Sequence, residues 1–514
     1  MLPFHIGPSR KSAVNLQSPA LPGVLLLALC LPGVGVAQIK RTAGIDTSLD
    51  VQVGHVDGRR GDGKSGTEFT GEVRPGVRLT SRSGRVQGSL SYGLGLVHRS
   101  RATQAIEVQH RLSTAVTGQV IEDRLFVDVA ADVSRQAISA YGRQSVAGSL
   151  TEDANHQDVG TLSISPSFRG VLAGMARYEF RLNAAGTNTR KSIAGDSTTT
   201  GGSFALSSNN PGARLGWSLN AASNTTDFRT SGDAINESAS ASLSLTPDPE
   251  LSLSLRGGAE STNLGALAGL QTYSNWGATL RWSPSPRAVA EFGADRRFFG
   301  NSHNVKVSYR LPRAGVRFTS VRDVTLGTRP QGLGQPQTLY DLFFQQFASQ
   351  EPDPVLRQQL VLTFLGGLGL DPNASVGGGS TLSGPTVQQR QDLAFSYALR
   401  RLTLAMQAFA SRSTRLAVGG GLAPAIGDTR QRGYNGSLAW RLTPTASISL
   451  LGSRLMTQPT ENLAGNDLKS LSLSLSERLG ARATAAVSVR YTVFNSVVTP
   501  YRETAINASL GLRF

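Results

Sequence analysis

The sequence predicts an all-β chain, a transmembrane antiparallel β-barrel of about 22 strands within a range of roughly 18 to 24. Three observations carry this reading. The chain opens on an export leader, its apolar residues fall at every second position along most of the mature length, and short turns alternate with longer links.

Residues 1–37 form the leader, a secretory signal peptide. Arg10 and Lys11 supply its basic region, and residues 24–31 a short apolar region that Pro32 and Gly33 break. Val34-Gly35-Val36-Ala37 are the small residues ahead of a cut after Ala37. The apolar run falls well short of the ~20 residues that a spanning helix needs, so it is not read as an anchor. Cys30 is the only cysteine. Leu27-Ala28-Leu29-Cys30 has the outline of a lipoprotein box, but Leu29 stands where a small residue is normal, so lipidation is the minor alternative. Without the leader the chain has no thiol for a disulfide or a metal.

Composition excludes further classes. Only 39% of residues are hydrophobic and mean hydropathy is −0.14, while the apolar residues stand singly between polar ones, as in strands rather than helices. The formal charge is +16 with a pI near 10.6, and Arg far outnumbers Lys. Nucleic acid is the default partner of a cytosolic chain this basic. Export removes that default and leaves outer-membrane lipids with anionic headgroups, acidic polysaccharide and other anionic solutes.

The alternation is clearest at the carboxy-terminus. Ile506, Ala508, Leu510, Leu512 and Phe514 share one face, and Asn507, Ser509, Gly511 and Arg513 the other. The preceding segment sets Ala483, Ala485, Val487, Val489, Tyr491 and Val493 against Arg482, Thr484, Ser488, Arg490 and Thr492. Leu251-Leu253-Leu255, Leu125-Val127-Val129-Ala131-Val133 and Trp276-Ala278-Leu280-Trp282 repeat it. A soluble sheet with one wet face also alternates. Recurrence from residue 47 to 514, without larger and more hydrophobic strands for a soluble core, favours the barrel, with 38–46 as a periplasmic lead. The regular turns of the first half also argue against a passenger domain ahead of a small carboxy-terminal barrel.

Counted back from Phe514, tight turns fall near 479–480, 443–445, 400–401, 312–313, 283–286 and 247–249. Longer links lie at 495–501, 458–466, 416–430, 299–304, 261–271 and 227–236. Short periplasmic turns and long external loops are the habit of bacterial barrels. One external link breaks the strand pattern. Residues 338–348 and 355–368 carry apolar residues at helical spacing, with Asp353 and Pro354 placed as a cap and first helical position. A helical insertion at 338–368 follows. A cap packed on the barrel rim is the simpler expectation, and a plug folded into the lumen the alternative.

Charged residues fall on the polar face, which a barrel turns to its lumen. The basic residues expected there are Arg74, Arg78, Arg181, Arg281, Lys306, Arg310, Arg317, Arg390, Arg441, Arg482 and Arg490. Rings of arginine attract and orient carboxylate, sulfate or phosphate. The alternative is that they pair with Glu72, Glu179 and Asp392 and brace the wall. The excess of basic residues points to a net positive lumen. Tyr178, Trp217, Trp276, Trp282, Trp440 and Phe514 lie near strand ends on the apolar face, as interfacial girdles do. Leu510, Leu512 and Phe514 fit a terminal signal for outer-membrane assembly machinery.

Catalysis finds little support. The histidines outside the leader, His55, His98, His110, His156 and His303, have no metal-ligand spacing. His156 with Asp153 and Asp158 is the one hydrolase constellation to weigh, and a solvated polar loop explains it as well. No nucleophile elbow or phosphate-binding loop is present. The expectation is no enzyme, no cofactor and no metal.

Several motifs extend the reading. These are Trp282-Ser283-Pro284-Ser285-Pro286-Arg287, Glu291-Phe292-Gly293 and Arg296-Arg297-Phe298-Phe299-Gly300, with Ile164-Ser165-Pro166, Tyr340-Asp341-Leu342-Phe343, Pro352-Asp353-Pro354, Gln388-Gln389-Arg390 and the terminal Leu510-Gly511-Leu512-Arg513-Phe514. Over most of the mature chain this resembles the uncharacterised outer-membrane barrels of PEP-CTERM/exosortase systems. The resemblance implies a Gram-negative outer membrane, a link to exopolysaccharide, and anionic polysaccharide and export-complex proteins as partners. It supplies no catalytic residue. The expected function is a porin-like conduit or accessory in exopolysaccharide export. The alternatives are a non-conducting barrel that scaffolds a secretion complex or anchors surface polysaccharide and, less favoured, a barrel hydrolase.

Overall fold

The computed structural model describes residues 43–60, 65–82, 84–101, 106–146, 154–191, 195–210, 214–265, 269–326, 384–418 and 428–514, and nine positions between 340 and 365. The leader with its lipoprotein-like box, and positions 38–42 of the expected lead, lie outside the described residues.

The alternating segments form 22 strands. In chain order the first are β1 (Ala43–Arg60), β2 (Ser65–Arg82), β3 (Val86–Arg99), β4 (Glu107–Ile121), β5 (Leu125–Ala137), β6 (His156–Leu172), β7 (Ala176–Thr189) and β8 (Ser197–Ser208). Next come β9 (Leu215–Phe228), β10 (Gly232–Asp248), β11 (Leu251–Thr262), β12 (Gln271–Ser285), β13 (Ala288–Arg297), β14 (Gly300–Arg310) and β15 (Ala314–Thr325). The last are β16 (Thr386–Ala398), β17 (Leu402–Arg415), β18 (Thr429–Arg441), β19 (Ala446–Thr457), β20 (Asn466–Arg478), β21 (Ala483–Ser496) and β22 (Tyr501–Arg513).

Each strand pairs antiparallel with the next, and β22 returns to β1 from Ser48↔Arg513 to Arg60↔Tyr501. Closure leaves no sheet edge, so every strand satisfies its backbone on both sides, which an apolar bilayer demands. At a strand spacing of about 4.8 Å and a tilt of about 40°, 22 strands enclose a ring roughly 44 Å across the backbone. Among the described residues no helix is long and apolar enough to cross a membrane.

Successive residues point to opposite sides of the wall. On β22, Ile506 and Leu510 are exposed outward while Ala505, Asn507 and Glu503 are buried on the inner side. Trp217, Trp276, Trp282, Trp440 and Phe514 all stand exposed on the outer face. Close packing fixes some glycines: Phe409 lies flat over Gly433, its partner across β17 and β18, where a Cβ would collide with the ring. Phe514 is tied by its backbone N–H to the Thr47 carbonyl at 2.8 Å.

Ten connections on the side of the termini leave two to six residues between strands, and eleven on the other side leave two to sixty. The terminal side is therefore read as periplasmic and the other as external. Two links expected to be long are tight: only Phe298 and Phe299 separate β13 from β14, and three residues separate β9 from β10. Polar sequence there belongs to strands that run past the membrane. Likewise β1 starts at Ala43, four residues before the expected 47, because Ala43 to Asp46 pair with Arg78 to Ser81.

Candidate functional site: the lumen and what fills it

The inner-face cations divide by whether a carboxylate meets them. Arg74, Arg390 and Arg490 stand in the wall with carboxylates: Arg74 on Glu72 at 2.7 Å, Arg390 on Asp392 through two hydrogen bonds of 2.7 Å, and Arg490 on Glu503 at 3.3 Å. Arg181 contacts Asp128 at 2.8 Å and Glu179 at 3.0 Å, and Lys306 contacts Glu291 at 3.5 Å. These five brace the barrel. In the three pairs Glu72/Arg74, Glu179/Arg181 and Arg390/Asp392 the partners are two residues apart on one strand, where period two puts them on one face.

The other six have no carboxylate within 4.0 Å among the described residues: Arg78, Arg281, Arg310, Arg317, Arg441 and Arg482. All lie within four residues of the periplasmic end of their strand, and Arg482 sits in the turn before β21. Arg281 faces Glu291 across β12 and β13, but that carboxylate is occupied by Lys306 and by Asn304 at 3.0 Å. Arg513, on the inner face of β22 and absent from the expected set, lies near enough to Arg78 for their like charges to interact. Arg78 also faces Asp46 across β1 and β2, beyond 4.0 Å. An excess of fixed positive charge thus collects at the periplasmic mouth, spread over β2, β12, β14, β15, β18 and the β20–β21 turn.

Towards the outside the inner wall is charge-balanced by groups that sequence reasoning missed. Glu107 receives Arg99 and, from an outward position on β5, Arg135 at 2.8 Å; Arg256 meets Asp295 at 2.9 Å; Arg297 bridges Glu260 and Asp323. These pairs depend on register between strands, which spacing along one strand does not reveal.

The helical insertion is not a rim cap. Tyr340, Phe343 and Phe344 are helical, as are Arg357, Gln358, Val361, Leu362 and Leu365. Phe343, Phe347, Val361 and Leu365 are fully or almost fully buried and pack on Ala405. Ala405 is on the inner face of β17, three residues from its periplasmic end, while its neighbour Met406 is exposed outward. Tyr340 interacts electrostatically with Arg78, near the periplasmic end of β2. The segment between the external ends of β15 and β16 therefore reaches deep into the lumen. The rim expectation failed because helical periodicity shows which face is apolar but not which apolar surface receives it. Among the described residues the apolar faces of the two helical stretches bury each other, and the pair seats on one small wall residue, Ala405.

External loops reach across the other end. The loop after β5 crosses the mouth to strands five to eight places round the ring. Asn466 and Thr457 donate to the Ala140 carbonyl at 2.9 and 3.2 Å, and the Tyr501 hydroxyl to the Gln144 carbonyl at 2.7 Å. The Arg143 guanidinium lies 4.4 Å over the Tyr501 ring, and Asn155 ties the loop to itself through the Ser139 and Arg143 carbonyls. A second crossing pairs Leu264, after β11, with Val418, after β17, above a cluster of Phe228, Ala234 and Leu264.

Histidine chemistry gains nothing from the geometry. His110 shares a hydrogen bond of 2.9 Å with Tyr92, and His303 one of 3.0 Å with Ser320. His156 and Asp158 share one face of β6, but Asp158 faces Arg190 at 3.6 Å and Asp153 lies outside the described residues. Among the described residues no group of three metal-ligating side chains comes together.

No family model matches the chain and no curated protein does. Solved structures do. The FrpB iron transporter of Neisseria meningitidis (F5-1 variant) is 10% identical, with 91% of this chain and 82% of that one covered and a TM-score of 0.47. OccK5 (OpdH) of Pseudomonas aeruginosa is 9% identical over 91% and 98%, with a TM-score of 0.33. OccK2 (OpdF) of the same organism is 11% identical over 91% and 98%, with a TM-score of 0.37. These are likenesses of barrel fold, and no inference about cargo follows from them.

Proposed function

We propose that the chain is a porin-like barrel of a Gram-negative outer membrane that passes anionic chains, as an accessory of exopolysaccharide export. The observation that carries this reading is the collar of arginines without carboxylate partners at the periplasmic mouth. An anionic polymer arriving from the periplasm meets that charge first, in a wet opening where guanidinium groups are free to take carboxylate, sulfate or phosphate. The balanced wall beyond it would let the chain move on rather than hold it. The sequence resemblance to PEP-CTERM-associated barrels is what connects the anion to exopolysaccharide. The test is ion selectivity in planar bilayers: Arg310→Gln, Arg317→Gln and Arg441→Gln together should lower the anion-to-cation permeability ratio. An unchanged ratio in an open barrel rejects the collar as the selecting element.

A second reading has its own observation. Helices pack inside on Ala405 and loops reach across the external mouth, an arrangement that suits a non-conducting scaffold or polysaccharide anchor. Conductance separates the two. A barrel that stays silent after the internal packing is removed is a scaffold.

A further inference from the structure

We infer that the outer face of β17 to β20, at the external edge of the membrane, is a binding site for the phosphate groups of outer-leaflet lipid headgroups. This is independent of what passes through the lumen.

On these four adjacent strands the outward positions change character at one height. Going towards the outside, β20 presents Leu475, Leu473 and Leu471 and then Lys469. On β18, Trp440 and Leu438 give way to Tyr434 and then to Arg432 and Arg430. The same step takes β17 from Met406 to Arg412 and β19 from Leu450 to Arg454. Register sets the basic positions side by side: Arg412 faces Arg430, and Arg454 faces both Tyr434 and Lys469. From Trp440 to Arg432 is eight residues, or about 20 Å along the barrel axis, close to the height of the apolar band of such barrels. The cations therefore sit where the headgroups begin.

Like charges directly opposite across a strand pair are destabilising. Here that arrangement occurs twice, Arg412 against Arg430 and Arg454 against Lys469, and each pair shares a single aspartate. Asp428 meets Arg412 closely and Arg430 at 4.0 Å; Asp467 meets Arg454 at 3.0 Å and Lys469 at 3.2 Å. Partial burial would raise the Asp428 carboxyl, but hydrogen bonds from Thr414 and Arg412 and the charge of Arg412 and Arg430 hold it below the usual range. Arg432, exposed between the two groups, has no carboxylate within 4.0 Å among the described residues. Five cations against two carboxylates leave a surplus of three. The surplus is not uniform round the ring: the outward external ends of β9 and β10 carry Asp227 and Glu237 instead, while those of β13 and β15 carry single arginines, Arg296 and Arg322. A positive surplus held at an apolar boundary is complementary to lipid phosphates, and arginine takes them bidentately.

The experiment uses the full chain refolded in detergent and counts bound lipid by native mass spectrometry. The probes are a bisphosphorylated lipid A, its dephosphorylated form, and inorganic phosphate as competitor. Wild type should retain the phosphorylated lipid over the dephosphorylated one. Arg432→Gln with Arg454→Gln and Lys469→Gln should bind it about a hundredfold more weakly, the loss expected for three cations at an anionic surface. Asp428→Asn with Asp467→Asn should bind it more tightly, because the surplus rises. Equal retention of the two lipids by wild type overturns the proposal. So does weaker binding by the aspartate variant, since the cations would then serve only their carboxylates. Full displacement by millimolar inorganic phosphate overturns lipid as the source. The aspartate variant and the lipid comparison remain decisive even if the triple variant does not refold, which its heat-modifiable gel mobility shows.

Discussion

Four buried side chains hold the helical insertion against the wall, and removing half of them should open the barrel. Burial of Phe343, Phe347, Val361 and Leu365 is worth about 1.5–3 kcal/mol each, or roughly 6–12 kcal/mol before the cost of ordering the segment is subtracted. Phe343→Ala and Leu365→Ala each remove a side chain with no exposed surface, at a cost of about 3–5 and 2–5 kcal/mol. Neighbouring truncations are not strictly additive, but a loss of about 5 kcal/mol already consumes most of the docking energy. The wall should not notice, because β15 and β16 remain joined over twelve register pairs whatever lies between them. In planar bilayers the double variant should show a severalfold larger steady conductance than wild type, with unchanged heat-modifiable gel mobility. Trypsin should also cleave after Arg357, whose guanidinium lies 4.9 Å over the Phe344 ring. Cleavage without added conductance would refute the reasoning, since the insertion would have left without clearing a path. No cleavage and no conductance would show that the cluster does not hold it.

Other residues give sharper contrasts. Arg490→Gln strands Glu503 in a buried position and should lower stability by about 3 kcal/mol in urea unfolding while leaving ion selectivity alone, the reverse of the collar arginines. Asn466→Ala with Tyr501→Phe removes two hydrogen bonds from the loop over the external mouth, at about 1 kcal/mol each, so trypsin cleavage after Arg143 should quicken at least tenfold. Gly433→Val should displace Phe409, and with it the ring that Arg390 covers at 4.3 Å; a melting temperature equal to wild type would contradict this. Deleting Phe514 should lower the folded fraction in vesicles that contain the assembly machinery more than in detergent, if the terminal aromatic is read during insertion.

The strands were legible because a membrane barrel repeats one rule: a side chain faces lipid or it does not. That is why alternation at Ile506, Leu510 and Leu512 located β22, and why turn spacing led to 22 strands. Partners two apart on one strand, such as Arg390 and Asp392, follow from the same rule. Arg490 with Glu503 and Arg297 with Glu260 do not, because cross-strand partners require a register that spacing along one strand does not supply. Nor could the split between paired and unpaired cations be seen, since Arg310 and Arg74 occupy equivalent lumen positions in the alternation. Depth was hidden for the helical insertion as well. Its apolar spacing called for a dry neighbour, and Ala405 is too small and too distant in sequence to announce itself as one.

The ladder between β15 and β16 has a wider consequence. Sixty residues leave the wall at Thr325 and return at Thr386, yet those two residues are register partners, as at the end of a tight hairpin. The entropy of closing a loop rises only slowly with its length, so the wall folds with nearly the same ease whatever the excursion contains. The excursion is thus an interchangeable cassette. Lineages could lengthen, replace or discard it, and retune the interior, without altering a single strand pairing of the cylinder around it.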